Sequence, residues 1–371
     1  WRATKDVTIK ADIIEEITRI YGYDNIEIPT KINASLNVIE KPDTERLRHD
    51  ISVMLAGNGF YEIMNNSLTK TAYYKGAWAD CCVKILNPLS QDLGVMRQTL
   101  LFGGLESLQR NINRKNADLK FYEFGNCYHF NKMNDAQSAM HGDFEPIQQY
   151  SGEMHLALWL TGNKSKQTWV RKDEKSSFYQ LHAYVNAVLR RLGVNIDKCV
   201  LEPAIQPNQE ACCGIAECFS DGLVIKAQNG IILGYMAIVD KALGKQFDID
   251  TPVYYADLYW QALLKQNKQY KPVIGDLPKF PEVKRDFALL VDKGVQFADL
   301  AHAAFDTERK LLRNVALFDV YEGKNLEEGK KSYALSFILQ DPENTLKDKQ
   351  IEMIMQRLQH TFEEKFGAKL R

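Results

Sequence analysis

Four carboxylates near the start of the chain have the type and spacing of ligands for a hard cation. Asp12, Glu15 and Glu16 stand three and four positions apart, which places them on one face of a helix, and Asp6 precedes them. Their mutual repulsion would be relieved by Mg²⁺, which prefers carboxylate oxygens and water. The spacing by itself favours a simpler interpretation, a solvated acidic start of a helix, where the helix dipole stabilises negative charge.

The usual signatures of catalysis are missing from the sequence. It contains no H-E-x-x-H, G-x-S-x-G or G-x-G-x-x-G motif, and its seven histidines are scattered. The seven cysteines include no C-x-x-C pair, which argues against a zinc site and against a disulfide framework. We therefore predict no catalytic residue, and reduced cysteines in a cytoplasmic protein.

Basic residues among aromatic ones near the C-terminus are the candidates for contact with RNA. The formal net charge of −1 provides no general attraction for nucleic acid, so such contact needs a local cluster of cations. Residues 278–371 contain 16 Lys/Arg and 16 Asp/Glu, and this balance on its own favours an ordinary solvated surface. The candidates are Lys279, Lys284, Arg285, Arg313, Lys330 and Lys331.

The elements that would position the acidic residues are helical. Apolar residues recur at helical spacing over residues 8–21, with Thr8 as the expected N-cap and Gly22 as the stop. A connector over residues 31–42 precedes a second helix that we expect from about Asp43 to Ala56.

The middle of the chain alternates short strands with helices. We predict helices over 100–114 and 177–192, a buried strand over 154–160, and a hairpin over 119–130 that is broken at Gly125-Asn126. The longest apolar stretch, near 231–239, is too short for a membrane-spanning helix, which takes about 20 residues. The first residues lack the pattern of a signal peptide, and we expect the chain to begin inside a domain.

The last segment has the clearest pattern. Its apolar periodicity predicts the order β-α-β-β-α-β, which is that of a ferredoxin-like split unit. The predicted elements are strands over 285–291, 311–323 and 331–340, helices over 297–307 and 346–366, and a final short strand.

Three stretches of the sequence carry a resemblance to a known family. WRATKDVTIKADIIEEITRIYGYDNIEIP (1–29) resembles the end of one module of bacterial phenylalanyl-tRNA synthetase β subunits, with two extra residues between Arg2 and Asp6. LNPLSQDLGVMRQTLLFGGLESLQRNINRKNADLKFYEFGNCY (86–128) looks like the catalytic-like module of that family. PKFPEVKRDFALLV (278–291) and the strands that follow look like its ferredoxin-like anticodon-binding domain.

The resemblance implies a role within a heterotetramer of two α and two β subunits that joins phenylalanine to its tRNA using ATP. In this family the α subunit carries the synthetic centre, and the β subunit contributes assembly and tRNA binding. Asp6, Asp12, Glu15 and Glu16 match the magnesium-site acids of the family, and the basic residues named above become candidates for tRNA contact. Proofreading belongs to an upstream module that these residues do not include.

The resemblance also implies an α+β fold with a class II synthetase-like antiparallel sheet. We expect the end of a small helical module over 1–30, a linker over 31–42, an inactive catalytic-like module over 43–270, a linker over 271–277 and the ferredoxin-like domain over 278–371. The strand FYEFGNCY lacks an Arg at its start, where active class II enzymes need one. Two alternatives stay open: a stand-alone RNA-binding or assembly protein, and an independent Mg²⁺-dependent enzyme that lacks an evident nucleophile.

Overall fold

A computed structural model describes residues 5–31, 34–35, 43–131, 146–204, 215–275, 277–323 and 326–370. The chain divides into two compact units, Trp1–Pro272 and Val273–Arg371. This division falls inside the segment 271–277 for which the sequence predicts a linker. The predicted linker at 31–42 lies mostly outside the described residues, and the finer domain boundaries of the first unit stay predictions.

The first helix of the chain is amphipathic but its apolar side is exposed. Helix α1 (Lys10–Tyr21) is preceded by Ile9 as N-cap rather than by Thr8, and Gly22, at φ 93°, ends it. The predicted N-cap is wrong, because the first helical hydrogen bond runs from the backbone N–H of Ile13 to the carbonyl oxygen of Ile9. No residue of α1 is buried.

A seven-stranded sheet forms the centre of the first unit, with strand order β1-β4-β5-β11-β10-β9-β8. Strands β1 and β4 are parallel, and the other neighbours in the sheet are antiparallel. Two short pairs, β2 with β3 and β6 with β7, lie outside it. The strands of this unit are β1 (Tyr61–Glu62), β2 (Leu68–Thr69), β3 (Val95–Met96), β4 (Leu119–Phe130), β5 (Tyr150–Thr161), β6 (Asn163–Ser165), β7 (Glu174–Lys175), β8 (Val200–Pro203), β9 (Phe219–Lys226), β10 (Ile232–Val239) and β11 (Val253–Tyr259).

Strand β4 corrects the predicted hairpin over 119–130. It runs unbroken and pairs with β5 from Leu119 opposite Thr161 to Phe130 opposite Tyr150. Gly125 and Asn126 are ordinary strand residues within this register. The glycine serves a close side-chain approach rather than a turn, as described below.

Helices cover both faces of this sheet. On one face, helices α2, α5 and α7 pack their apolar stripes against alternate residues of the strands, and on the other face α4 does so. The second predicted helix is confirmed as α2, which Asp43 caps by accepting a hydrogen bond from the backbone N–H of Arg46. The helices of this unit after α1 are α2 (Thr44–Gly57), α3 (Ala77–Asp80), α4 (Leu101–Asn113), α5 (Phe178–Arg191), α6 (Lys241–Gln246) and α7 (Trp260–Gln269).

The second unit has the predicted order of a ferredoxin-like fold. Its four-stranded sheet has the order β13-β14-β12-β15, and its two helices share one apolar core with one face of that sheet. The elements are β12 (Val283–Asp292), α8 (Phe297–Thr307), β13 (Leu312–Tyr321), β14 (Lys330–Leu339), α9 (Asp348–Phe366) and β15 (Lys369–Leu370). The α+β class predicted from the sequence is confirmed.

Candidate functional site

The sheet face beneath α4 is filled by side chains of the chain itself. Leu101 and Leu105 of α4 are fully buried against it. Gly104 brings the helix so close that a Cβ there would lie 2.0 Å from Cε2 of Trp159 on β5. Because real Cβ atoms do not approach other atoms so closely, only glycine fits between this helix and the tryptophan ring.

A buried ion pair lies on the same face. Nη1 of Arg97, just after β3, is 2.6 Å from Oε1 of Glu123 on β4, and both side chains are almost fully buried. Nε of Arg97 donates to the carbonyl oxygen of Asn126 at 2.9 Å, and the amide of Asn65 donates to Oε2 of Glu123 at 2.6 Å. A Cβ at Gly125 would lie 2.2 Å from Nη2 of Arg97, so this glycine makes room for the guanidinium.

A second polar cluster lies beside the ion pair and centres on Asp257 of β11. Its Oδ1 is 2.6 Å from Nδ1 of His155, and its Oδ2 accepts hydrogen bonds from the hydroxyls of Tyr255 and Tyr235. Burial opposes protonation of His155, but the carboxylate of Asp257 outweighs it and raises the pKa of the imidazole to about 11. At neutral pH the pair is therefore a buried imidazolium and carboxylate.

These two clusters have little capacity left for a substrate. The guanidinium of Arg97 is already held by Glu123 and by two backbone carbonyls, and both oxygens of Asp257 accept hydrogen bonds. Burial raises the pKa of the Cys127 thiol, which disfavours the reactive thiolate. The arrangement suits a polar network that fixes the position of strands, because every charge in it is paired.

The four predicted metal ligands are not brought together as a metal site. Asp12 uses its Oδ2 to accept hydrogen bonds from the backbone N–H groups of Thr8, at 2.8 Å, and Ile9, at 3.0 Å. These bonds, first that of Ile9, lower the pKa of Asp12. Glu16 forms an ion pair with Arg19 at 2.6 Å.

In this arrangement two of the four carboxylates, those of Asp12 and Glu16, are engaged within the chain itself. Across the ranges that the structure describes, no three His, Cys, Asp or Glu side chains form a group able to hold a metal ion. The magnesium site at Asp6, Asp12, Glu15 and Glu16 stays a prediction.

The six predicted tRNA contacts are distributed over both faces of the second sheet. Neighbouring residues of a strand point to opposite faces, and directly paired residues share a face. Arg285 is paired with Phe337 and Lys331 with Val291, so both belong to the face that packs on the helices. Lys331 is accordingly buried, with its Nζ 4.5 Å from the ring centre of Tyr333.

The remaining candidates are exposed to different degrees. Lys284 is exposed and lies on the opposite face, which it shares with Lys330, at the far end of the neighbouring strand. Lys330 is partly used by an ion pair with Glu327 at 3.0 Å. Lys279 precedes β12, and Arg313 lies at an irregularity of β13, both exposed.

The face of the second sheet away from its helices carries an exposed aromatic ring beside a cation. Phe318 of β13 is 59% exposed, and Nζ of Lys284 is 5.8 Å from the centre of its ring. The central strand β14 contributes the small residues Ser332, Ala334 and Ser336 to this face, and both serines are buried. Open sheets of this kind present an aromatic ring for a base and a cation for a phosphate.

Two residues of interest, Arg97 and Trp169, are not among those predicted from the sequence. Arg97 has no signal in the strand at 121–128, because the cation reaches that strand from a different element. Trp169 lies within a short hairpin and is 95% exposed. Its signal in the sequence was the run KSKQTWVRK, an aromatic residue between cations.

Comparison with known proteins agrees with this architecture. The family model described as phenylalanyl tRNA synthetase beta chain CLM domain matches residues 28–260, and that of the ferredoxin-fold anticodon binding domain matches residues 278–371.

Within the residues that the structure describes, no helix combines the length and apolar character needed to span a membrane.

Curated relatives match along the whole chain. The phenylalanine–tRNA ligase beta subunit of Bacteroides thetaiotaomicron is 49% identical over 370 residues, which are 99% of this chain and 43% of that protein. That of Porphyromonas gingivalis is 43% identical, covering 100% of this chain and 44% of that protein. That of Listeria monocytogenes is 30% identical, covering 99% and 42%.

One solved structure with a partial likeness is that of pyrrolysyl-tRNA synthetase from Desulfitobacterium hafniense. It aligns over 62% of this chain and 70% of that one, at 14% identity and a TM-score of 0.42, and a similarity this low supports no argument. The curated relatives are longer, and this chain spans only about 43% of their length. With one family model covering more than half of its residues and the second covering the C-terminal unit, the chain belongs to the phenylalanyl-tRNA synthetase β-chain family.

Proposed function

We propose that this chain works as part of the β subunit of a phenylalanine–tRNA ligase. In this role it supports the ATP-dependent attachment of phenylalanine to its tRNA through subunit assembly and tRNA binding. The synthetic centre is expected on an α subunit, within a cytoplasmic α2β2 heterotetramer. ATP with its Mg²⁺ is then a substrate of the assembled enzyme.

The observation that carries this proposal is the burial and charge pairing of Arg97 on the sheet face that α4 covers. Binding a nucleoside triphosphate requires cations that are accessible to phosphate oxygens. Arg97 is 7% exposed and already neutralised by Glu123. The aromatic and aliphatic side chains around it, with α4 above them, leave the face packed as a core. This supports a scaffold role for the first unit.

The free edge of the first sheet supports a role in assembly. Strand β1 is the edge strand beside β4, and it is only two residues long. Tyr61 is 71% exposed there, and Met64, just after it, is 94% exposed. Exposed apolar side chains beside each other mark a surface for another chain, and we propose the α subunit as its partner.

Two measurements test the assembly proposal. The chain alone should form no phenylalanyl-adenylate, so we expect no phenylalanine-dependent ATP–pyrophosphate exchange, whereas co-expression with an α subunit should yield a stable complex. Met64→Lys should reduce recovery of that complex, while Met353→Lys, a matched change in the second unit, should not. Exchange activity in the chain alone would refute the scaffold role.

The exposed face of the second sheet supports the tRNA-binding part of the proposal. Lys284→Gln removes the cation beside Phe318, and we expect weaker tRNA binding with a salt dependence reduced by about one phosphate contact. Arg285→Gln is the matched control, because it removes the same charge from the adjacent residue on the opposite face. Equal losses in the two variants would contradict this assignment.

A further inference from the structure

The short hairpin of β6 and β7 ends in a tip of unusual composition. Its turn is closed by two backbone hydrogen bonds between Thr168 and Arg171, at 2.8 and 3.4 Å. This places Trp169 and Val170 at the two central positions of the turn, where they are 95% and 73% exposed. The turn therefore holds an indole away from the body of the first unit.

The exposure of Trp169 contrasts with the other tryptophans that the structure describes. Trp78, Trp159 and Trp260 are at most 6% exposed. A large aromatic side chain contributes to folding only when it is buried, so its placement at a turn tip adds nothing to the core. Exposed aromatic side chains of this kind are characteristic of binding surfaces.

The hairpin is also strongly basic for a chain of net charge −1. Residues 163–175 carry five Lys/Arg against two Asp/Glu. Lys164 is paired with Glu174 at 2.6 Å, and Lys166 lies 3.7 Å from Asp118. These two pairs brace the hairpin and leave the tip to other cations.

Three further cations of the hairpin remain, together with the carboxylate of Asp173, which accepts a hydrogen bond from the backbone N–H of Gln167. Arg171, Lys172 and Lys175 are exposed and have no ion-pair partner within the ranges that the structure describes. Arg171 and Lys172 follow the turn directly, next to Trp169 in the chain. An exposed ring flanked by unneutralised cations matches the requirements of RNA, whose bases stack and whose phosphates attract positive charge.

We propose that the tip of the β6–β7 hairpin is a second RNA contact, separate from the sheet face around Phe318. An unpaired base stacks on the indole of Trp169 while Arg171 and Lys172 hold the adjoining phosphates. Trp and Arg are also common in protein interfaces, but the excess of positive charge in this hairpin matches phosphates better than a protein surface. This inference rests on the proposed tRNA-binding role of the chain.

The first test uses the indole as its own reporter. Titration of the chain with short oligouridylate should quench the solvent-exposed tryptophan emission, and Trp169→Ala should abolish that quenching. The same variant should weaken binding of oligouridylate and of phenylalanine tRNA about fivefold or more, the low end for one stacked base. Trp169→Tyr should restore most of the affinity, because it keeps an aromatic face. Leu89→Ala, a change at an equally exposed apolar residue, is the control.

The second test addresses the phosphates. The pair Arg171→Gln and Lys172→Gln should lower the slope of log affinity against log salt by about 1.4, from two single-strand phosphate contacts of about 0.7 each. Lys241→Gln with Lys245→Gln removes the same charge from the exposed surface of α6 and should leave the slope unchanged. A change of slope in both pairs would reduce the effect to net charge and overturn the inference.

The outcomes separate this inference from the proposed function. Unchanged affinity and slope in the hairpin variants, with tRNA binding still weakened by Lys284→Gln, would overturn the hairpin contact alone. Failure of the unaltered chain and of its complex with an α subunit to bind tRNA would overturn both. Loss of α-subunit recovery in the hairpin variants, with RNA affinity unchanged, would assign the hairpin to a protein contact instead.

Discussion

Replacing Arg97 with methionine should destabilise the first unit far more than the small change in side-chain volume suggests. Methionine preserves much of the apolar stem but removes the charge that neutralises Glu123, whose side chain is 1% exposed. The carboxylate then retains only the donors of Asn65, its backbone N–H at 3.2 Å and its side-chain amide at 2.6 Å. The carbonyl oxygen of Asn126 loses its donor as well.

The expected loss follows from leaving a charge buried without its partner. Breaking a buried pair in this way costs about 3–5 kcal/mol of unfolding free energy. Replacing both partners, Arg97→Met with Glu123→Met, removes the unpaired charge and should recover at least about 1 kcal/mol of that loss.

Tryptophan emission in a urea titration measures this unit specifically. All five tryptophans of the chain lie within Trp1–Pro272, so the signal does not follow the second unit. Lys164→Met, which breaks the exposed pair with Glu174, is the control and should cost less than about 1 kcal/mol. A loss below about 1 kcal/mol for Arg97→Met, or a double variant less stable than the single one, would refute the reasoning.

Three further predictions concern other parts of the chain. The pKa of His155 is raised from 6.5 to about 11, so the stability that its charged form contributes is complete below pH 6.5 and is lost as pH rises through 11. The free energy of unfolding should therefore fall across that range. His155→Asn should flatten this pH dependence, measured by urea titration. Gly104→Ala should destabilise the first unit by about 1–3 kcal/mol in the same assay, because its Cβ has no room beside the tryptophan ring, whereas Gly57→Ala, with open space around it, should be neutral or stabilising. Asp12→Asn should speed amide hydrogen exchange at the start of α1, because it weakens the hydrogen bonds that this carboxylate accepts from backbone N–H groups. These bonds lower the pKa of Asp12, so the cap is present at neutral pH and is lost on acidification. A change in the chemical shift of Asp12 on adding Mg²⁺ would instead support the metal site.

Local pattern was sufficient for the second unit. The strands and helices there alternate at clear periods of two and of about 3.6 residues, because one face of each element packs on a single core. The order of elements and the ferredoxin-like fold followed directly. The same pattern did not tell which of the six basic residues share a face, since that depends on the pairing register, which the structure shows as Arg285 opposite Phe337 and Lys331 opposite Val291.

In the first unit, the local sequence pattern gave a wrong prediction for β4 and no prediction for the contacts on the sheet face beneath α4. Gly125 was taken as a turn because glycine commonly breaks strands, but in the fold it accommodates the guanidinium of Arg97. The ion pair of Arg97 with Glu123 joins residues 26 positions apart, and the pair of His155 and Asp257 joins residues 102 apart. Spacing along the chain carries no information on such contacts.

The sequence by itself determined the family resemblance, the class of fold, the order of elements in the C-terminal unit and the chemical types of the candidate residues. Only the tertiary structure decided which of those residues are available. It buried Lys331, neutralised Arg97 and left Trp169 in solvent. The physical reason is that burial and charge pairing are set by residues distant in the chain, whereas propensity and periodicity are set by neighbours.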